Sequence, residues 1–171
     1  SELLLVFTAR QDHLVRDFIA KEYWPAARRG RTVLDTTAML SFLSEAHYDG
    51  RLETQWSEKV SLRVARSVLG LLRDVGFLRE VVRRRREIVN YQMSDEGLAL
   101  LTRELHESGV SDSSLCDQAD WQLFGMAAPE VLERLDALGQ HRGVLVQRAG
   151  AVAHFTWTVK SIEELIDVLA R

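Results

Sequence analysis

The sequence predicts a mainly α protein interrupted by two small β-hairpins. Three observations carry that expectation. Apolar residues recur at the three- and four-residue spacing of a helix in segment after segment. Helix-starting residues, Asp35, Ser57, Ser94 and Ser161, stand just ahead of those runs. Two short stretches rich in β-branched residues flank turn-forming or highly charged positions, as strands of a hairpin do.

Taken in order, Leu3 to Phe7 fits either a short strand or the tail of a helix. From Gln11 to Trp24, Leu14, Val15, Phe18, Ile19 and Tyr23 keep helical spacing, and Pro25 is expected to end the run because it pushes the preceding residue out of the α region. Arg28-Arg29-Gly30-Arg31 reads as a basic connector, either plainly solvated or a patch that tracks a polyanion. Asp35 caps a helix whose buried face is Met39, Phe42, Leu43 and Ala46.

After Trp56, Ser57 caps the next helix, in which Val64, Val68, Leu71, Leu72 and Val75 form the apolar stripe. Lys59, Arg63, Arg66, Gly70 and Arg73 share another face, since their spacings alternate between four and three. Gly70 weakens such a helix by roughly 1 kcal/mol relative to Ala, while leaving the backbone bare for close approach. Gly76 then ends the helix, and Val81-Val82 and Ile88, Val89 and Tyr91 read as a hairpin whose tip carries Arg83, Arg84, Arg85 and Arg86.

Ser94 begins a helix over Asp95 to Glu107, with Leu98, Leu101 and Leu105 inward, closed by Gly109. Residues 108–114 are small and polar and form the linker between an expected first region, 1–108, and a second, 109–171. Leu115 to Phe124 reads as a short helix. Pro129 opens another, with Val131, Leu132, Leu135 and Leu138, ended by Gly139. Val144 to Arg148 and Ala151 to Val159 alternate like strands around Ala149-Gly150. Ser161 and Glu164 make a capping box for a final helix presenting Ile162, Leu165, Ile166 and Leu169.

Charge divides unevenly. The whole chain is −3, but residues 1–91 hold 16 of the 22 Lys and Arg with 12 of the 25 Asp and Glu, a net of +4. Residues 92–171 hold 6 and 13, a net of −7. A basic face on an otherwise acidic chain is an argument about partners. One cysteine, Cys116, excludes an internal disulfide framework and fits a reducing cytoplasm. No apolar run approaches the roughly 18 residues of a membrane helix. The first residue is Ser, not Met, which leaves the native start open.

The segment LLRDVGFLREVVRRRREIVNYQMSDEGLALLTREL, with its Gly-Phe-Leu corner, basic hairpin and following capped helix, resembles the second half of winged-helix regulators. The expected fold is therefore a winged-helix-like N-terminal region with a basic β-hairpin, followed by a C-terminal helical region with a second small hairpin. The link of about nine residues between the two central helices exceeds the usual 3–4 of a strict helix-turn-helix. A wider set of landmarks runs through the chain: Asp17-Phe18-Ile19, Trp56-Ser57, Arg63-Val64-Ala65-Arg66, Leu71 to Leu78, and Asp120-Trp121 with Leu123-Phe124-Gly125. Their order resembles the BrxA family of BREX phage-defence systems. That resemblance implies a cytoplasmic, mainly helical protein that binds double-stranded DNA in a defence system.

Catalytic signatures are absent from the sequence: it has no P-loop, no nucleophile elbow, no His-Glu-x-x-His and no dinucleotide fingerprint. His106, Asp112, Cys116 and Asp117 are the nearest approach to a cluster, and a thiol among acids is a poor nucleophile. A carboxylate set of Asp112, Asp117 and Asp120 matches ordinary acidic helix surface. The expectation is a non-catalytic duplex-DNA-binding protein without cofactor or metal. Its candidate contacts are Lys59, Arg63, Arg66 and Arg73, the tip arginines Arg83 to Arg86, and the connector's Arg28, Arg29 and Arg31. The alternatives are a protein-interaction module of a defence complex and an RNA-binding protein.

Overall fold

Helices account for most of the chain, and two antiparallel hairpins complete it. The structure is a computed structural model that describes residues 1–82, 85–138, 143–149 and 152–170. Contacts divide the chain into two units, Ser1–Tyr91 and Gln92–Arg171. The division falls where the charge changes sign, so the first unit is basic and the second acidic. It does not fall at 108/109, because the helix expected to close the first region packs instead on the helices that follow it.

In the first unit, α1 (Glu2–Gln11) resolves the open choice at Leu3 to Phe7 in favour of a helix, which buries Leu5, Val6 and Ala9. Asp12 stops it in extended geometry, and its carboxylate accepts the N–H groups of Leu14, at 2.9 Å, and Val15 to start α2 (His13–Phe18). The chain then widens into a π turn, Ile19–Tyr23, and continues as α3 (Trp24–Arg28). Pro25 thus sits inside helical structure and does not end it. In the π turn the Trp24 N–H reaches back five residues to the Ile19 carbonyl, so Pro25 enters the first turn of α3, where a missing N–H costs little.

Asp35 caps α4 (Thr36–Tyr48) through the Ala38 N–H at 3.0 Å, and Met39, Phe42, Leu43 and Ala46 are buried as their spacing predicts. Ser57 caps α5 (Glu58–Val75), which ends at Gly76 with φ +101. The buried stripe of α5 is Ala65, Val68, Leu69, Leu72 and Val75. Val64 and Leu71, expected within the stripe, lie at its edge and are half-buried.

Strands β1 (Leu78–Val82) and β2 (Arg85–Ile88) form the first hairpin. The preceding connector joins them: Val33 bridges Glu87, the Leu34 N–H donates to the Arg86 carbonyl at 3.2 Å, and the Ile88 N–H donates to the Thr32 carbonyl at 2.9 Å. Val33 thereby adds an isolated antiparallel bridge to β2 just ahead of α4. At the base of the hairpin Phe77 stacks on Tyr23, with ring centroids 4.8 Å apart, and meets Tyr91 at 4.4 Å. The buried Tyr23 hydroxyl lies 2.9 Å from the Val89 carbonyl and 3.1 Å from that of Phe77.

The second unit begins with α6 (Asp95–Glu107), capped by Ser94 through the Gly97 N–H at 2.9 Å. The expected linker carries a short helix, α7 (Asp112–Leu115), and a 3₁₀ turn follows at Ala119–Phe124. Trp121 is buried there and donates to the Leu115 carbonyl at 2.8 Å. Helix α8 (Ala128–Leu138) packs on β3 (Val144–Ala149), which pairs with β4 (Val152–Trp157), and α9 (Ile162–Leu169) packs on α6. Only Leu165 of α9 is fully buried; Ile166 is half exposed. The expected helix end at Gly139 and the turn residue Gly150 lie outside the described residues.

Candidate nucleic-acid interface

Lys59, Arg63 and Arg66 are brought together on the exposed side of α5. With Leu62 and Ser67 they line an open groove of about 400 Å³. The helix that carries them is held from both ends. Ser57 fixes its start, and the left-handed Gly76 fixes its end while the apolar stripe faces the core. Among the described residues, none of the three cations has a carboxylate partner. Gly70 continues this face, and a Cβ placed on it would meet nothing within 4 Å.

Arg73, at the far end of the row, differs from the others. Its guanidinium lies 2.7 Å from Asp74 and 3.5 Å from Glu80 of β1. The bond to Asp74, then that to Glu80, raises its pKa above the ordinary arginine value. Its charge is thus compensated inside the unit, and it serves to join the end of α5 to the hairpin.

The hairpin arginines separate likewise. Arg79 pairs with Glu87 at 3.3 Å. Arg85 is exposed, whereas Arg86, expected at the tip, is folded inward, 9% exposed, with its Nε lacking a hydrogen-bond partner. Strand alternation is the reason: Arg85 and Arg86 must point to opposite faces. Arg83 and Arg84 lie outside the described residues. In the connector Arg28, Arg29 and Arg31 are exposed around Gly30, whose φ is +72. Arg31 lines a groove of about 480 Å³ together with Glu22, Asp35 and Glu45, so carboxylates outnumber cations there.

Several positioning residues left no signal in the sequence. The loop between α4 and α5 is tied down by Arg51, which reaches Asp49 at 2.7 Å and Asp17 of α2 at 3.2 Å, and lies over the Phe42 ring. Lys21 completes the network 2.7 Å from Asp17. Burial pushes the Asp17 carboxyl up, but the bonds from Lys21 and Arg51 outweigh it and hold it below its ordinary value. Asp17 and Arg51 are 34 residues apart, and only the fold makes them neighbours.

The acidic cluster of the second unit is arranged differently from the sequence grouping. Asp112 binds His154 at 2.6 Å, lies 3.8 Å from His106, and accepts the Phe155 N–H at 3.1 Å. It fastens α7 to β4. Burial, and then the charge of Asp117, pushes the Cys116 thiol up to about 11, which suppresses its thiolate. Among the described residues no three His, Cys, Asp or Glu side chains form a group able to hold a metal ion, and no helix is long and apolar enough to cross a membrane.

The family model described as BrxA matches residues 1–104, which include all of the first unit and every cation discussed above. No curated protein and no solved structure gives a significant match.

Proposed function

The chain belongs to the BrxA family of BREX phage-defence systems, and from that premise we propose that it binds double-stranded DNA through its first unit and catalyses no reaction. The observation that carries this reading is the trio Lys59, Arg63 and Arg66. Three cations that have no carboxylate partner among the described residues stand on one solvent-facing helix side beside a groove. Keeping like charges adjacent has an electrostatic cost that phosphates of a polyanion would offset, with release of condensed counterions.

The order of elements adds support. A helix, a bridging strand residue at Val33, helices α4 and α5, and then the β1–β2 hairpin follow one another as in a winged helix. In that arrangement α5 is the helix offered to a groove, and the hairpin lies against the neighbouring backbone. The acidic second unit favours an additional docking role toward other defence-system proteins.

The test is binding of a labelled duplex to the intact chain at several salt concentrations, with single- and double-stranded RNA as competitors. The expected result is affinity that falls steeply with salt and a preference for duplex DNA. Absence of binding at low salt would refute the reading in favour of a protein-docking module, and stronger competition by RNA would transfer it to that ligand.

A further inference from the structure

The first hairpin carries two exposed apolar side chains on the strand that leads to its arginine-rich turn. Val81 is 49% exposed and Val82 is 64% exposed, next to the exposed Arg85. Every residue of β1 after Leu78 is exposed, so the hairpin stands clear of the core from Arg79 outward. Glu80 pairs with Arg86 and Val82 with Arg85, so Val81 is an extra residue in a bulge, which re-aims its side chain. The carboxylates of the same hairpin are already engaged: Glu80 with Arg73 and Glu87 with Arg79. Among the described residues, what faces outward at this end is the Val81–Val82 pair beside Arg85.

We infer that Val81 and Val82 are an apolar wedge that enters the minor groove of bound duplex DNA and bends it, while Arg85 holds the adjacent phosphate. This rests on the duplex-binding reading above and goes beyond it. Apolar side chains that press against base steps from the minor groove unstack them and kink the helix away from the wedge, and flanking cations stabilise the closer phosphates. The exposed Arg85 beside the two valines, in a segment with four successive arginines in sequence, favours a polyanion over an apolar protein surface as their occupant.

The experiment compares the intact parent chain with Val81→Thr/Val82→Thr, which keeps the β-branched shape and the strand, on a duplex labelled at both ends. Energy transfer between the labels reads the bend, and anisotropy at several salt concentrations reads affinity and salt slope. For the parent a shortened end-to-end distance is expected. The double variant should lose the bend and bind on the order of tenfold more weakly, with its salt slope unchanged, because no phosphate contact has been removed. A parent that binds without bending the duplex overturns the wedge and leaves the duplex-binding reading standing. So does a variant that bends it equally. A weaker variant with a shallower salt slope also overturns the wedge, since the loss would then lie in phosphate contacts. A parent that fails to bind at all removes the underlying reading as well. Should the double variant melt, Val82→Thr alone, at the more exposed position, gives the same comparison.

Discussion

Replacing Arg63 and Arg66 together by Gln removes two of the three cations on α5 that have no carboxylate partner among the described residues, while leaving its buried stripe intact. If Lys59, Arg63 and Arg66 each neutralise one phosphate, their share of the salt dependence has a slope of about −2.7, at about −0.9 per contact. Between 50 and 200 mM salt that share alone lowers the association constant about 40-fold, and with only Lys59 left it lowers it about three- to fourfold. Both arginines are exposed and neither is paired among the described residues, so stability should move by no more than about 0.5 kcal/mol. Arg73→Gln is the matched control. Its charge is already met by Asp74 and Glu80, so removing it should change the slope far less than removing either of the others. The assay is fluorescence anisotropy of a labelled duplex over a salt series, with thermal denaturation of each variant alongside. A double variant that keeps the parent's slope, or an Arg73→Gln that flattens it equally, refutes the reasoning. Loss of the fold in the double variant would show these side chains to be structural.

Two further substitutions address the scaffold beneath that surface. Tyr23→Phe removes the hydroxyl between the Val89 and Phe77 carbonyls; Phe77 keeps the Val89 N–H as a donor, so one acceptor is stranded and a loss of about 1 kcal/mol is expected in chemical denaturation. Gly70→Ala places a methyl group where nothing lies within 4 Å, and should stabilise α5 by roughly 1 kcal/mol while weakening duplex binding. Stabilisation with undiminished affinity would show that DNA does not approach the helix at Gly70.

Much of the local structure is legible from residue order, because caps and helical periodicity act over three or four residues. Asp35, Ser57 and Ser94 start helices where their side chains predict, and Met39, Phe42, Leu43 and Ala46 face inward. The shared face of Lys59, Arg63 and Arg66 follows from the same geometry. Pro25 misleads, since its rule assumes an α-helix, and the π turn ahead of it changes which carbonyl each N–H meets.

What the sequence by itself determined is therefore the inventory: a mainly helical chain, a basic first part, an acidic second part, and a row of cations on one helix face. Which of those cations remain available was decided only in three dimensions. Arg73 is compensated by Glu80, a residue of a different element, and Arg86 turns inward because strand pairing dictates its side. Thr32 to Leu34 hydrogen-bond to β2 only because folding brings it beside them, and the unit boundary falls at Tyr91 because α6 finds its partners further along the chain. Charge and periodicity are properties of neighbours in sequence, whereas compensation and pairing depend on distances that only folding sets.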